Sequence, residues 1–399
     1  MRNLILYLSK LKLNMINRIA IKRLIDLSKT FRSVAVVGPR QSGKTTLCRA
    51  VFPDKPYISL ENPDFLDFAT SDPRGFLSQF NTKNGAILDE IQKVPHLFSY
   101  LQQILDETKQ KGLFILTGSN NFLLLENITQ TLAGRIAYLQ LLPLSLEELK
   151  TSKFLKTDYY EHTHSGGYPE LISESISPAD WFPNYISTYV ERDVRQLKNI
   201  TNLSLFTKLL RLCAGRTGQI LNMASLANDC GIDQKTVASW LGILQSSYII
   251  YLLKPYYNNF NKRITKTPKL YFYDTGVACS LLGIKSADQI AIHAAKGALF
   301  ENLMVSELLK NRFNIGESDN LFYWRDKTGN EVDVIAENAE KLTAIELKSG
   351  ETINNDFFKG LNYFSALNTK EIEKVVIYGG NQSQNRSNEI AVKSWNNFI

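Results

Sequence analysis

Gly38-Pro39-Arg40-Gln41-Ser42-Gly43-Lys44-Thr45 is a complete G-x-x-x-x-G-K-T run. Its residue types are those a phosphate-binding loop requires. Glycines let successive backbone N–H groups turn inward around a β-phosphate, and a following helix N-terminus adds partial positive charge. Lys44 is then expected to reach the β- and γ-phosphates, and the Thr45 hydroxyl to ligate Mg²⁺. The cradle is read over Gly38, Pro39, Arg40, Gln41, Ser42, Gly43, Lys44, Thr45 and Thr46, and the ligands it implies are ATP and Mg²⁺. A second group, Ala86-Ile87-Leu88-Asp89-Glu90, ends an apolar run in two acids. Asp89 is expected in the Mg²⁺ shell and Glu90 as the general base that polarises the attacking water. Alone, Asp-Glu also reads as a helix start; the upstream Lys44 favours the catalytic reading.

Two further residues belong to this chemistry. Leu113 to Leu116 ends in Thr117-Gly118-Ser119-Asn120, so Asn120 or Ser119 is placed to sense the γ-phosphate, against the plain reading of a Ser-Asn turn. Arg135, in Leu132-Ala133-Gly134-Arg135, is read as an arginine finger, acting in its own subunit or a neighbour's. A surface arginine is the alternative.

Such side chains need rigid elements behind them. Ser33 to Val37 (SVAVV) is a short β-branched apolar run that reads as a buried strand, and helix formers follow Thr45. That strand–loop–helix context is the one the motif demands. Open α/β sheets bind ligands at the C-terminal ends of their strands, where Asp89 and Glu90 would stand.

Gly38 to Thr45, Ser59-Leu60-Glu61-Asn62-Pro63, Asp72-Pro73-Arg74-Gly75-Phe76, Leu88 to Pro95 and Leu132 to Arg135 together resemble a prokaryotic family of AAA-superfamily ATPases. The likeness continues through Gly166-Gly167-Tyr168-Pro169-Glu170 and Tyr189-Val190-Glu191-Arg192-Asp193 to Ser349. The resemblance implies ATP hydrolysis and a C-terminal domain of uncharacterised function.

Met223 to Ser247 has helix-turn-helix spacing. Ala227 is small where two helices cross, Gly231 marks the turn, and Val237 and Trp240 return to the core. Lys235, Thr236 and Ser239 then face outward, available to a major groove. Tyr248 to Tyr256 and Lys269 to Tyr273 read as strands flanking a basic loop, Asn258 to Lys266, which outlines a winged helix. Trp181 to Thr275 holds 12 Lys or Arg against 5 Asp or Glu, so this segment carries the whole net charge of +7. A basic block suggests DNA as partner; a winged helix packed on the ATPase core without touching DNA is the competing reading.

Near the end, Asp333, Glu346 and Lys348 form a D-x(n)-E-x-K pattern, and Glu301 on a preceding helix completes an acid cluster. A strand's period of two puts Glu346 and Lys348 on one face. The pattern resembles the restriction-endonuclease-like fold, in which carboxylates hold Mg²⁺ for phosphodiester hydrolysis. Glu301, Asp333 and Glu346 are therefore expected as metal ligands with Lys348 beside them, either cutting DNA or retained in a domain that only binds.

The remaining features bound the class. At 399 residues, several domains are expected. The division is an AAA-type core (1–150), a helical linker (151–215), a winged-helix-like unit (216–285) and a restriction-endonuclease-like domain (286–399). The fold class is α/β: a P-loop core on a parallel sheet, then a helical and winged-helix region, then a second α/β domain. No apolar run reaches the eighteen or so residues of a spanning helix, so no membrane is expected. Four scattered cysteines, Cys48, Cys213, Cys230 and Cys279, fit buried thiols in a reducing cytoplasm. Met15 is an alternative start. His162 and His164, with no third ligand near, read as exposed loop residues. A homo-oligomer or a protein partner stays open.

Overall fold

The computed structural model describes residues 16–80, 84–118, 131–194, 200, 202–257, 266–338, 341–369, 371–386 and 389–398. Among them the strands form two sheets.

The first sheet has five strands in the order β2-β3-β4-β1-β5, all parallel. These are β1 (Ser33–Val37), β2 (Tyr57–Ser59), β3 (Ala86–Asp89), β4 (Phe114–Gly118) and β5 (Ile136–Gln140). β1, β3 and β4 are buried at every position, as strands of a parallel sheet covered on both faces must be. Parallel register puts Val37 opposite Gly118 and Leu88 opposite Leu116. The loops after β1, β3 and β4 therefore leave from one edge. Helices α1 (Ile21–Thr30) and α2 (Lys44–Val51) flank β1, burying Leu24, Leu27, Leu47 and Cys48 against Val34 and Val36.

The second sheet has eight strands in the order β12-β13-β11-β10-β9-β8-β6-β7. They are β6 (Ile250–Pro255), β7 (Lys269–Phe272), β8 (Leu321–Arg325), β9 (Glu331–Asn338), β10 (Lys341–Lys348), β11 (Ile372–Tyr378), β12 (Gln384–Asn385) and β13 (Ile390–Ser394). The hairpin β6–β7 is antiparallel, and β6 joins β8 in parallel through Lys254 and Pro255. The hairpin drawn from sequence as a separate wing thus extends the C-terminal sheet.

Four more helices bear on function. The segment after β5 enters α3 (Leu146–Thr151), whose start is fixed by a capping box between Ser145 and Glu148. α4 (Met223–Cys230) ends on Gly231 at φ 82, and Asp233 caps α5 (Gln234–Ser246). Ala227, Val237 and Trp240 are buried, as the helix-turn-helix spacing requires. The 20-residue α6 (Lys296–Ile315) packs between the two sheets. The four cysteines are unpaired and buried. Among the described residues no helix is long and apolar enough to cross a membrane.

Candidate functional site

Gly38 leaves β1 at φ 153, and a Cβ there would lie 2.1 Å from the Leu141 carbonyl oxygen, so only glycine fits. Gly43 caps α2 in the left-handed region, φ 88. Lys44 is buried and its ammonium donates to the carbonyls of Gly38 at 3.0 Å and Pro39 at 2.7 Å. Burial lowers its pKa to about 8, against the pull of Glu90 and Asp89.

Across the strand ends, Thr45 Oγ1 donates to Asp89 Oδ2 at 2.9 Å. Tyr57 OH donates to the same oxygen at 2.7 Å, and Thr117 Oγ1 to Asp89 Oδ1. Burial first, then the bond to Asp89, pushes the Tyr57 phenol up to about 12. Glu90 follows at φ 55, a left-handed backbone rare for a non-glycine residue, and its carboxylate accepts from Gln92 Nε2. A hydroxyl and an aligned carboxylate beside the loop fit a hard, oxygen-seeking cation such as Mg²⁺.

The loop opens into a cavity of about 620 Å³ that extends onto Ile16, Ile21, Leu144 and Pro169. Its volume and mixed lining suit a nucleotide-sized ligand. Gly166-Gly167-Tyr168-Pro169-Glu170 is more than a joining turn. Gly167 N donates to Asp274 at 2.8 Å while its carbonyl accepts from Leu144 N at 2.7 Å. The short helix begun by Pro169 is thereby seated at the cavity, where Glu170 accepts from Gln41 Nε2 at 3.2 Å.

Arg18 lay outside the sequence reading. Its guanidinium donates to the Ser42 carbonyl in the loop at 2.8 Å, to the Leu142 carbonyl at 2.6 Å and to Glu148 at 3.0 Å. One helix turn away, Leu146 N donates to Glu307 of α6 at 2.7 Å, and Lys310 bridges Glu307 and the Leu144 carbonyl. A buried polar line therefore runs from the loop to the C-terminal sheet's main helix. Nothing in the local pattern around Arg18 announces this.

Several expectations need correction. Arg135 directly precedes β5, level with the start of β1, so it stands at the opposite edge of the sheet from its own loop. Five strand residues at about 3.3 Å each separate the two by roughly 17 Å. There it pairs with Asp106, Nη2 to Oδ2 at 2.9 Å, far from the phosphate-binding loop of its own chain. Asn120 and Ser119 lie outside the described residues. His162 is helical and buried, accepting from Lys156 N at 2.7 Å, and His164 is half-buried in the same helix.

In the C-terminal cluster, Glu301, Asp333 and Glu346 do approach one another, but around lysines. Lys269 Nζ is 2.9 Å from Glu301 and 3.9 Å from Asp333, and it also contacts Glu331. Lys348 Nζ is 2.6 Å from Glu346 and 3.9 Å from Asp333. Burial first, and Asp333 second, raises Glu301 to about 7 and Glu346 to about 8. Among the described residues no group of three or more His, Cys, Asp or Glu is arranged to hold a metal ion. Where the sequence led to a shared divalent ion, the structure has the Lys269 ammonium among the oxygens. Lys269 was legible in one respect: a lysine two residues from Tyr271 in an otherwise apolar strand calls for a buried counter-charge.

Three family models match successive parts of the chain. Residues 30–150 match the family described as an AAA domain. Residues 156–288 match a domain of unknown function (DUF8612), and 296–398 a domain of unknown function (DUF4143). The chain is 28% identical over 323 residues to an uncharacterized protein of Mycobacterium tuberculosis, covering 80% of this chain and 70% of that one. It is 28% identical over 358 residues to an uncharacterized protein of Methanocaldococcus jannaschii, with coverages of 81% and 76%. Among solved structures, a Walker-type ATPase of Pyrococcus abyssi is 17% identical at TM-score 0.46, over 67% of this chain and 96% of that one. A parallel-sheet P-loop domain similar to the AAA domain family is here joined to a C-terminal α/β region similar to a family of unknown function.

Proposed function

We propose that this protein is a Mg²⁺-dependent ATP hydrolase that acts with DNA through its C-terminal half without cutting it. The observation that carries the hydrolase reading is the contact of Thr45 with Asp89 at 2.9 Å. It sets a metal-binding pair beside Lys44 and directly before Glu90. In this reading Gly38 to Thr46 cradle the phosphates, Lys44 neutralises them, and Thr45 and Asp89 hold Mg²⁺. The ion, when bound, offsets charge on the β- and γ-phosphates. Glu90 takes the proton of the attacking water, with Gln92 fixing its carboxylate.

The organisation proposed is that read from sequence: 1–150, 151–215, 216–285 and 286–399, in a cytoplasmic protein. Exposed Lys235 and Ser239 on α5 support DNA contact by a winged helix. A protein partner is the second reading, favoured by where the basic excess goes. Lys269 is buried and Arg216 is paired with Asp229, so part of that charge never reaches the surface.

The test is ATP turnover with Mg²⁺, with and without duplex DNA, for wild type, Lys44→Ala and Glu90→Gln. Turnover should fall by about 10²–10³ in each variant, with Glu90→Gln still binding ATP, and DNA should accelerate wild type. Turnover indifferent to DNA moves the search to a protein partner. Undiminished turnover in both variants overturns the site.

A further inference from the structure

The carboxylate cluster of the C-terminal sheet is built around a side chain that the helix-turn-helix unit supplies. β7 sends Lys269 and Tyr271, two residues apart and so on one face, toward α6. Lys269 is 4% exposed. Its ammonium lies 2.9 Å from Glu301, 3.9 Å from Asp333 and in contact with Glu331. Tyr271 OH donates to the same Glu301 oxygen that Lys269 uses. Asp333 is oriented from behind, accepting from Leu347 N at 2.8 Å. A divalent ion bridging Glu301 and Asp333 would compete with the Lys269 ammonium for these oxygens, and two cations held that close repel each other.

The lysine is also fastened in place. Asn302, next to Glu301 on α6, brackets the backbone of Phe272 on β7. Phe272 N donates to Asn302 Oδ1 at 2.7 Å, and Asn302 Nδ2 donates to the Phe272 carbonyl at 2.7 Å. Thr217 Oγ1 adds a third bond to Asn302 Oδ1 at 2.6 Å. Pulling β7 away would therefore break a buried amide clamp, and removing Lys269 would leave acids without a counter-ion, which is costly in a protein interior.

We propose that the Lys269 ammonium is the resident cation of this carboxylate cluster, closing it to divalent metal and locking the β6–β7 hairpin onto the C-terminal sheet. On the neighbouring strand Lys348 pairs with Glu346 Oε1 at 2.6 Å. The cluster then has no means of generating a metal-bound hydroxide, and its role is to join two units electrostatically. The inference is independent of the nucleotide site, and its test uses no nucleotide.

The experiment is Mn²⁺ titration of the nucleotide-free full-length chain, following the electron paramagnetic resonance signal of unbound ion. Wild type and Asp333→Asn should bind equal numbers of Mn²⁺. Lys269→Met should bind one more per chain, and that gain should vanish in Lys269→Met combined with Asp333→Asn. Any ion held at Thr45 and Asp89 is common to all four proteins and cancels. Wild type binding one Mn²⁺ more than Asp333→Asn overturns the proposal, since metal then displaces the lysine. So does a folded Lys269→Met that gains nothing. Lys269→Met is the variant most exposed to misfolding, and the wild-type comparison with Asp333→Asn decides without it.

Discussion

Arg18 Nε meets Glu148 Oε1 at 3.0 Å, with side-chain exposures of 8% and 0%. The other guanidinium nitrogens hold the carbonyls of Ser42 and Leu142, while Glu148 also caps Ser145. Removing one partner of such a pair leaves a buried charge uncompensated, at about 3–5 kcal/mol. Arg18→Ala should lower stability to urea by that order and weaken nucleotide binding, because the loop loses its support at Ser42. Arg18→Lys should recover only part of both, since one ammonium cannot span three acceptors. A stability loss under about 1 kcal/mol would show the pair to be incidental.

His162 predicts an acid sensitivity. Burial pushes its pKa down to about 4, whereas an unfolded histidine titrates near 6.5. Between those values the unfolded chain binds the proton and the folded chain does not. Stability is therefore full above about pH 6.5 and falls as pH drops toward 4, by up to about 3 kcal/mol. Urea midpoints at several pH values should show this slope in wild type and a shallower one in His162→Gln, which retains an acceptor for Lys156 N. Parallel slopes in the two proteins would assign the acid loss elsewhere.

Arg135 is predicted to be silent within its own chain. Its pair with Asp106 is exposed, and such pairs add little to stability. Arg135→Ala should leave turnover per chain unchanged at high dilution. If copies assemble so that it reaches a neighbour, the loss should appear only as turnover rises with protein concentration. A loss independent of concentration would contradict the strand geometry.

The nucleotide site was the most legible part of the chain because its signals are local. A buried strand, a glycine-bounded loop and a helix start lie within fifteen residues, so Gly38 to Thr46 need no knowledge of the rest. Asp89 was legible for the same reason, at the end of an apolar run. The place of Arg135 was not legible, because a motif names a residue type without saying at which end of a parallel strand it falls. The acid cluster was legible in part. Glu301, Asp333 and Glu346 were read together, but Lys269 lies in another segment and only the pairing of β6 with β8 brings it among them. The burial of His162 was not legible either: it packs beside Trp395, distant in sequence, whose ring lies 5.6 Å away. Long-range packing of this kind leaves no trace in spacing.

The union of β6 with β8 sets a timetable for synthesis. The hairpin Ile250–Phe272 leaves the ribosome well before Leu321, and at 5–20 residues per second the delay is on the order of several seconds. Throughout that interval the end of β6 and the residue after it, Lys254 to Tyr256, lack the β8 partner they later gain, and an open strand edge invites pairing with another chain. The nascent protein must pass through a sticky stage that its own last quarter then relieves. Truncated or stalled products ending between Phe272 and Leu321 keep that edge open, and they should aggregate more readily than the full chain.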